Sequence, residues 1–139
     1  MNTRHDIIHM ELCRYVAYKY PKALFHSDMS GVRLTKKQAG HAKRMRKKRG
    51  HPDWILYEPR GGFVGLMIEI KPEQETIWKL DGSLRKSEHL AEQAEYGKDL
   101  RMRGWCFMFA VGLDEAIRKV DSYMKGKSDA VIKMVPIPI

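Results

Sequence analysis

One stretch of the chain, from Gly50 to Lys71, restricts the possible folds more than any other. It reads GHPDWILYEPRGGFVGLMIEIK, in which two runs of strand-forming residues flank the turn-forming segment 59–62. Because the side chains of a strand alternate between its two faces, the second run places its aliphatic residues on one face. These residues are Val64, Leu66, Ile68 and Ile70. The stretch therefore predicts a β-hairpin with one face in the core.

Three charged residues lie where this hairpin opens. Asp53 precedes the first run, and Glu69 and Lys71 share the polar face of the second. A charge near a core is costly unless a partner or a metal ion neutralises it. Two carboxylates that converge from neighbouring strands suit a hard cation such as Mg²⁺, and an adjacent lysine can orient a water molecule or offset charge on a phosphate. We expect a metal site here; the alternative is a structural ion pair.

The order Pro52-Asp53, then Glu69-Ile70-Lys71, resembles the signature of the PD-(D/E)xK nucleases. The lead-in from Arg49 to Asp53 resembles their VRR-Nuc branch, the virus-type replication-repair nuclease domain. This resemblance implies an α/β fold of the restriction-endonuclease type, with a mixed central sheet flanked by helices. It also implies an endodeoxyribonuclease in which Asp53, Glu69 and the Ile70 carbonyl bind Mg²⁺ or Mn²⁺. Lys71 would then position the attacking water.

The first helix, expected from about Thr3 to Tyr20, carries an acidic residue within its apolar stripe. Glu11 falls, in helical projection, among Ile7, Ile8, Leu12, Tyr15, Val16 and Tyr18. VRR-Nuc domains have a metal-site glutamate on their first helix, so the resemblance implies that Glu11 joins the site. The alternative is a bond to a tyrosine hydroxyl or to an arginine. His5 and His9 have a chelating spacing, but they lie off this stripe without a third ligand nearby in sequence. We interpret them as surface or phosphate-contacting residues.

A later helix, predicted from Ser87 to about Arg103, presents an amide on its inward face. The inward residues are Leu90, Gln93, Ala94, Gly97, Leu100 and Arg101. Gln93 is similar to the glutamine that follows the Glu-x-Lys strand in VRR-Nuc domains, which implies a catalytic role. The alternative is a buried amide bonded to the backbone. The family's serine three residues before this glutamine is replaced here by Leu90. Gly97 indicates a close approach of the helix backbone to the sheet.

The net charge of +9 is concentrated in a basic segment, residues 33–50. Nine basic residues and no acidic residue lie between Val32 and His51, so the rest of the chain is balanced at 17 against 17. Such a segment is typical of a protein that binds a phosphate backbone; the alternatives are a solvated run, RNA or an anionic membrane surface. A helix is predicted from about Thr35 to Lys48. The residues expected to contact DNA are Lys36, Lys37, Lys43, Arg44, Arg46, Lys47, Lys48 and Arg49.

The remaining elements complete an α/β order. A short strand is predicted near 23–26, a final helix from Asp114 to about Lys125, and a long loop over 72–86, where Trp78 either stacks on an unpaired base or packs on its own domain. Residues 105–111 are apolar at every position, which is typical of a strand in the middle of a covered sheet.

Composition limits the class of protein. A chain of 139 residues with 43% hydrophobic residues predicts one globular domain, 1–139. The sequence lacks an apolar run of the ~20 residues that a membrane span requires, and its start lacks a signal-peptide pattern. Cys13 and Cys106 are far apart, which indicates reduced thiols. We expect a cytoplasmic protein, encoded by a bacterium or phage and acting at the nucleoid, with no membrane partner and no small-molecule cofactor.

An apolar tail, residues 129–139, is expected to form an edge strand or a surface shared with a second copy. Stand-alone VRR-Nuc domains of this size are similar to homodimeric four-way-junction resolvases. The resemblance therefore implies a homodimer that cuts branched DNA with low sequence specificity. The alternative is a non-catalytic module that binds DNA or RNA.

Overall fold

The computed structural model describes residues 3–28 and 35–126, and this part of the chain contains four helices and four strands. In chain order they are α1 (Arg4–Lys19), β1 (Phe25–Ser27), α2 (Lys36–Arg44), β2 (Trp54–Leu56), β3 (Leu66–Lys71), α3 (Glu88–Met102), β4 (Cys106–Val111) and α4 (Leu113–Met124). The apolar tail and Arg33 lie outside the described residues. Among the residues described, no helix has the length and apolar character needed to cross a bilayer.

The described strands form one mixed sheet in the order β1-β2-β3-β4. β2 pairs with both β1 and β3 in antiparallel fashion, and β4 lies parallel to β3. In the β2–β3 pair, Trp54 is opposite Ile68 and Leu56 is opposite Leu66. The predicted hairpin is therefore confirmed, and the turn segment 59–62 lies in its connection.

Helices cover both faces of the sheet, as the alternation of side chains in β3 requires. Leu66, Ile68 and Ile70 are fully buried on the face covered by α1 and α4. Met67 points to the opposite face, which α3 covers. There it belongs to a second apolar cluster with Ile55, Ile77, Leu90, Leu100, Phe107 and Phe109. The aliphatic face predicted from the sequence is confirmed for Leu66, Ile68 and Ile70, whereas Val64 precedes β3 and is half-buried. The charged residues of β3 lie on the α3 side.

The prediction that β4 lies in the middle of the sheet is wrong for the described strands, because β4 pairs only with β3 and forms an edge. Its apolar character has another cause: α3 and α4 cover it on its two faces. Side chains of these helices also bond to carbonyls of β4. Arg101 donates to the Phe107 carbonyl at 2.8 Å, and Lys119 donates to the Phe109 carbonyl. Because these two carbonyls already accept hydrogen bonds, fewer backbone groups of this edge strand are free to pair with another strand.

Side-chain caps begin α1 and α3, close to the starts predicted from the sequence at Thr3 and Ser87. Thr3 and Asp6 form a capping box at the start of α1, and the Ser87 hydroxyl accepts a hydrogen bond from the Leu90 backbone at the start of α3. Gly97 lies against the Phe107 ring, and a Cβ at this position would be only 2.1 Å from Cδ1 of that ring. The close approach expected at Gly97 is thereby confirmed, and it sets the distance between α3 and the sheet.

Candidate active site

A cleft of about 760 Å³ opens where β2 begins and β3 ends. Asp53, Glu69, Lys71 and Gln93 all line it, and each is no more than 5% exposed. These four residues come from β3, α3 and the segment just before β2. The structure therefore brings together the charged residues of the hairpin and the glutamine of α3, as predicted.

The backbone before β2 fixes Asp53. Gly50 has a φ of 96°, a conformation that favours glycine, and a Cβ there would lie 2.5 Å from the Glu92 carbonyl oxygen on α3. This close contact packs the segment ahead of β2 against α3. Asp53 Oδ1 then accepts a 2.9 Å hydrogen bond from the Ile70 backbone N–H. The carboxylate is thus tied to the residue between Glu69 and Lys71.

The second oxygen of Asp53 faces two histidines of α1. His5 Nε2 lies 2.9 Å from Asp53 Oδ2 and 3.1 Å from the Ile70 carbonyl oxygen, and His9 Nε2 lies 3.3 Å from the same Oδ2. Burial alone would raise the pKa of Asp53, but the interactions with His5 and His9 outweigh burial and hold this pKa below its usual value. The hydrogen bond to Asp53 is also the main cause that raises the pKa of His5. Asp53 is therefore ionised.

Glu69 has the opposite electrostatic character. Burial, and then the charge of Asp53, raise the pKa of Glu69 to about 9. Its Oε1 accepts a 2.6 Å hydrogen bond from Gln93 Nε2 and lies 3.7 Å from Lys71 Nζ. The adjacent lysine and amide are insufficient to offset the cost of a second negative charge beside Asp53. A cation bound between the two carboxylates would supply that compensation.

Two buried oxygens at this position lack a hydrogen-bond partner within the described part of the chain: Glu69 Oε2 and Gln93 Oε1. Unsatisfied buried acceptors are rare and call for an explanation such as an ion or a water molecule. Carboxylate and carbonyl oxygens are the ligands that Mg²⁺ and Mn²⁺ take in proteins. The residues present therefore fit a divalent cation.

Glu11, predicted from the resemblance to join the site, lies elsewhere. Its carboxylate pairs with Arg14 at 3.3 Å, its side chain is 41% exposed, and it is not among the residues that line the cleft. The arginine alternative left open by the sequence is the arrangement found. The buried side of α1 is formed by Ile8, His9, Leu12 and Val16, whereas Tyr18 is 88% exposed.

The residues that sequence reasoning missed are therefore His5 and His9. Their interpretation as surface or phosphate-contacting residues is wrong: His9 is buried, His5 is half-buried, and both face Asp53. Their spacing by four positions was the signal available in the sequence. Their third partner, Asp53, is far away in the chain and only the fold brings it near.

The basic residues expected to contact DNA are all exposed. Arg46 and Arg49 line the cleft itself. Lys48 instead pairs with Asp99 of α3 and lies over the Tyr96 ring, 5.4 Å from its centroid. The others are Lys36, Lys37, Lys43 and Arg44 on α2, and Lys47 beyond its end. α2 buries none of its residues, and Arg46 and Arg49, which follow it in the chain, make the adjoining part of the cleft basic.

A tight turn in the loop between β3 and α3 presents an apolar side chain to solvent. Trp78 and Leu84 form a β-bridge, and the Lys79 N–H donates to the Ser83 carbonyl at 2.7 Å. Leu80, at the tip, is fully exposed. Trp78 packs edge-on against Phe109, with ring centroids 6.0 Å apart, which supports the prediction that it packs on its own domain.

A comparison with solved structures agrees with this architecture. No family model matches the chain, and no curated protein does so either. Among solved structures, one described as "VRR_NUC domain protein" is similar with a TM-score of 0.64 and 23% sequence identity. The match covers 92% of this chain and 93% of that one. The resemblance predicted from the sequence is thus confirmed in the fold, which is α/β and restriction-endonuclease-like.

Proposed function

We propose that the protein is a metal-dependent DNA endonuclease that hydrolyses phosphodiester bonds, with a preference for branched DNA. The observation that carries this proposal is the burial of Asp53, Glu69 and Lys71 together on one wall of a cleft whose rim is basic. Two carboxylates, of which one has a strongly raised pKa, are costly for stability. Groups of this kind cluster at catalytic sites, where the cost serves a function.

Each residue has a distinct role in this proposal. Asp53, Glu69 and the Ile70 carbonyl would hold Mg²⁺ or Mn²⁺, which lowers the pKa of a bound water and stabilises charge on the phosphate. Lys71, buried 3.7 Å from Glu69, positions the attacking water and offsets negative charge as it develops. Gln93 orients Glu69 through its 2.6 Å hydrogen bond. Glu11 has no role in this arrangement.

DNA is the substrate that the charge distribution favours. Arg46 and Arg49 line the same cleft as Asp53 and Glu69, so a phosphate that these arginines bind lies near the two carboxylates. Contacts to phosphates hold a duplex without reading its bases, so we expect low sequence specificity. Structured RNA shares this backbone charge and is the competitor that the experiment must include.

The turn at Leu80 supports branched DNA over plain duplex. The loop that carries it leaves the cleft at Glu75 and returns to it at His89, since both of these residues line the cleft. An exposed leucine on a hydrogen-bonded turn resembles the apolar wedges that proteins insert between base steps. Bases next to a junction unstack at lower cost than bases within a duplex. A homodimer, with two active sites related by a two-fold axis, would suit a four-way junction.

A cleavage assay tests this function. The protein is incubated with duplex, flap and four-way-junction DNA in Mg²⁺, Mn²⁺ or EDTA, together with Asp53→Ala, Lys71→Ala and the exposed control Lys22→Ala. We expect cleavage that requires the metal, is lost in the first two variants and persists in the control. Lys71→Ala should retain binding to DNA. Binding without cleavage by the native protein would instead identify a non-catalytic module.

Two further measurements test the partner and the assembly. Labelled junction DNA competed against structured RNA at fixed salt measures the preference between the two, because salt sets the electrostatic part of both affinities. Light scattering after size exclusion measures the molar mass in solution. We expect a preference for DNA and the mass of two chains. A mass of one chain would contradict the dimer while leaving the nuclease intact.

A further inference from the structure

We propose that His5, His9 and Asp53 form a second metal site, selective for a transition-metal ion of the Mn²⁺, Co²⁺ and Zn²⁺ type over Mg²⁺. This site lies on the α1 side of Asp53. Glu69, the carboxylate that the proposed function adds to Asp53, lies on the α3 side with Gln93, whereas the Ile70 carbonyl is 3.1 Å from His5 Nε2 and borders both sites. The inference shares Asp53 with that function but does not require the protein to cleave DNA.

The separations of the candidate ligand atoms suit one ion. One atom from each of the three residues lies within 4.8 Å of the others, and both histidine Nε2 atoms approach Asp53 Oδ2, at 2.9 and 3.3 Å. Ligand atoms about 2.0–2.2 Å from a zinc ion in tetrahedral geometry are roughly 3.3–3.6 Å from one another. The cluster therefore needs only small side-chain movements to surround an ion.

His9 gives the clearest indication of a missing ligand. The residue is 7% exposed, and its buried Nε2 makes no hydrogen bond of good geometry within the part of the chain that the structure describes; Asp53 Oδ2 lies 3.3 Å away. Its other ring nitrogen, Nδ1, lies 2.5 Å from the Ser27 hydroxyl oxygen. When Nδ1–H donates to this hydroxyl, the nitrogen that faces Asp53 is Nε2, and a bound metal ion would take the place of the proton on it. A second partner that fixes the tautomer in this way is typical of metal-binding histidines.

The donor set decides the class of metal. Two imidazole nitrogens and one carboxylate suit zinc, cobalt, nickel and manganese, whereas magnesium prefers oxygen ligands and retains its water. His5 and His9 lie on α1 and Ser27 lies on β1, whereas Glu69 lies on β3 and bonds to Gln93 of α3. Glu69 is not a member of this group of atoms. The two sites can therefore be separated by mutation.

Cobalt(II) is the probe for this site, because its visible absorption reports nitrogen ligation and reduced coordination number without any substrate. The native protein is titrated with Co²⁺ in excess Mg²⁺, and binding is quantified by absorption and calorimetry. The variants are His5→Ala, His9→Asn, Glu69→Gln and the exposed control His26→Ala. Circular dichroism and thermal melting establish that each variant is folded.

We expect one equivalent of Co²⁺ to bind in the presence of excess Mg²⁺, with at least tenfold weaker binding in His5→Ala and His9→Asn. Glu69→Gln and His26→Ala should bind as the native protein does. Co²⁺ binding that persists in a folded His5→Ala, or that disappears in Glu69→Gln, would overturn the proposal. If the native protein binds Co²⁺ in this way but shows no Mg²⁺-dependent cleavage, only the proposed nuclease function is contradicted.

Discussion

Gln93 Nε2 donates a 2.6 Å hydrogen bond to Glu69 Oε1 and so links α3 to the C-terminal half of β3. The same amide nitrogen lies 3.0 Å from His89 Nε2, which can accept its second hydrogen. Both N–H groups of Gln93 therefore have acceptors, while its buried oxygen has no hydrogen-bond partner among the described residues. The amide holds the orientation of the carboxylate while its oxygen stays available to a ligand in the cleft.

Replacing Gln93 with alanine should lower cleavage without weakening DNA binding. The substitution removes the group that orients Glu69, and changes of this kind at supporting residues reduce activity by about 10- to 100-fold. Single-turnover rates and binding of junction DNA in Ca²⁺ measure the two quantities separately. Lys98→Ala, an exposed change on the same helix, is the control. Equal losses in rate and affinity would contradict an orienting role for Gln93.

In the absence of metal, the free energy of unfolding of Glu69→Gln should exceed that of the native protein by an amount that grows as pH rises. The pKa of Glu69 is about 9, above its usual value, so the folded state retains a proton that the unfolded state releases. Its contribution to stability is therefore fully present near pH 4.5 and is lost as pH rises toward 9. At about 1.4 kcal/mol per pH unit, the variant should gain up to about 3 kcal/mol over the native protein between pH 5 and 7.5.

Urea unfolding in EDTA at several pH values measures this difference. The two proteins differ only at residue 69, so contributions from the rest of the chain cancel in the comparison. Saturating Mg²⁺ should abolish most of the gain, because the ion binds the native carboxylate and stabilises the folded state by mass action. A difference in stability that is constant across the pH range would show that Glu69 is ionised in the folded protein.

The parts of this site that lie on one strand or one helix were predictable, because local periodicity determines them. Alternation in β3 separated Glu69 and Lys71 from the aliphatic residues, and the helical pattern of α3 placed Gln93 inward. Asp53 joined them because a hairpin brings the start of one strand beside the end of the next. These predictions needed no knowledge of distant contacts.

The orientation of α1 could not be predicted in the same way. Hydropathy assigned Ile7 and Tyr18 to its inward side, and so placed Glu11 there, but both apolar residues are exposed. The buried side is rotated toward His5 and His9. Their ring nitrogens lie within hydrogen-bond distance of Asp53 and Ser27, respectively. A helix that buries polar groups for a site has a misleading hydrophobic pattern, and only tertiary contacts reveal it.

Replacing Gly97 with alanine should destabilise the protein by about 2–3 kcal/mol. The added Cβ would lie 2.1 Å from the Phe107 ring, so α3 or β4 must move, and overpacking of a core has a cost of this size. Gly40→Ala on α2 is the matched control. Its Cβ would meet only the Arg44 guanidinium at 3.7 Å, so the better helix propensity of alanine should stabilise α2. Thermal unfolding of both variants measures the contrast in sign.

Removing the Tyr15 hydroxyl should destabilise the contact between α1 and α4. Tyr15 and Tyr20 each donate a 2.6 Å hydrogen bond to Asp121 of α4. Burial alone would raise the pKa of Asp121, but these bonds hold it below its usual value. Their contribution is therefore present at neutral pH and is lost as pH falls through that lowered pKa.

We expect Tyr15→Phe to cost about 1.5–3 kcal/mol at pH 7, the range for a hydrogen bond to a charged group. Tyr18→Phe, at an exposed position of the same helix, should change stability by less than about 0.5 kcal/mol. Urea unfolding of both variants at pH 7 and pH 3 is the measurement. The loss in Tyr15→Phe should not grow as pH falls, and a loss at pH 7 no larger than that in Tyr18→Phe would contradict a hydrogen bond to ionised Asp121.

Leu80 should determine the preference for junctions if the turn at 78–84 acts as a wedge. The side chain is fully exposed, yet the turn beneath it is held by the bridge between Trp78 and Leu84 and by the contact of Trp78 with Phe109. A leucine held in this way can enter a base step without losing much conformational entropy. Because duplex binding depends on phosphate contacts, Leu80→Ala should weaken junction binding about tenfold and leave duplex affinity unchanged.

Fluorescence of 2-aminopurine beside the branch point should rise on binding the native protein and stay low with Leu80→Ala. Leu24→Ala, at another exposed leucine, is the control, and an equal loss there would assign the effect to general surface hydrophobicity.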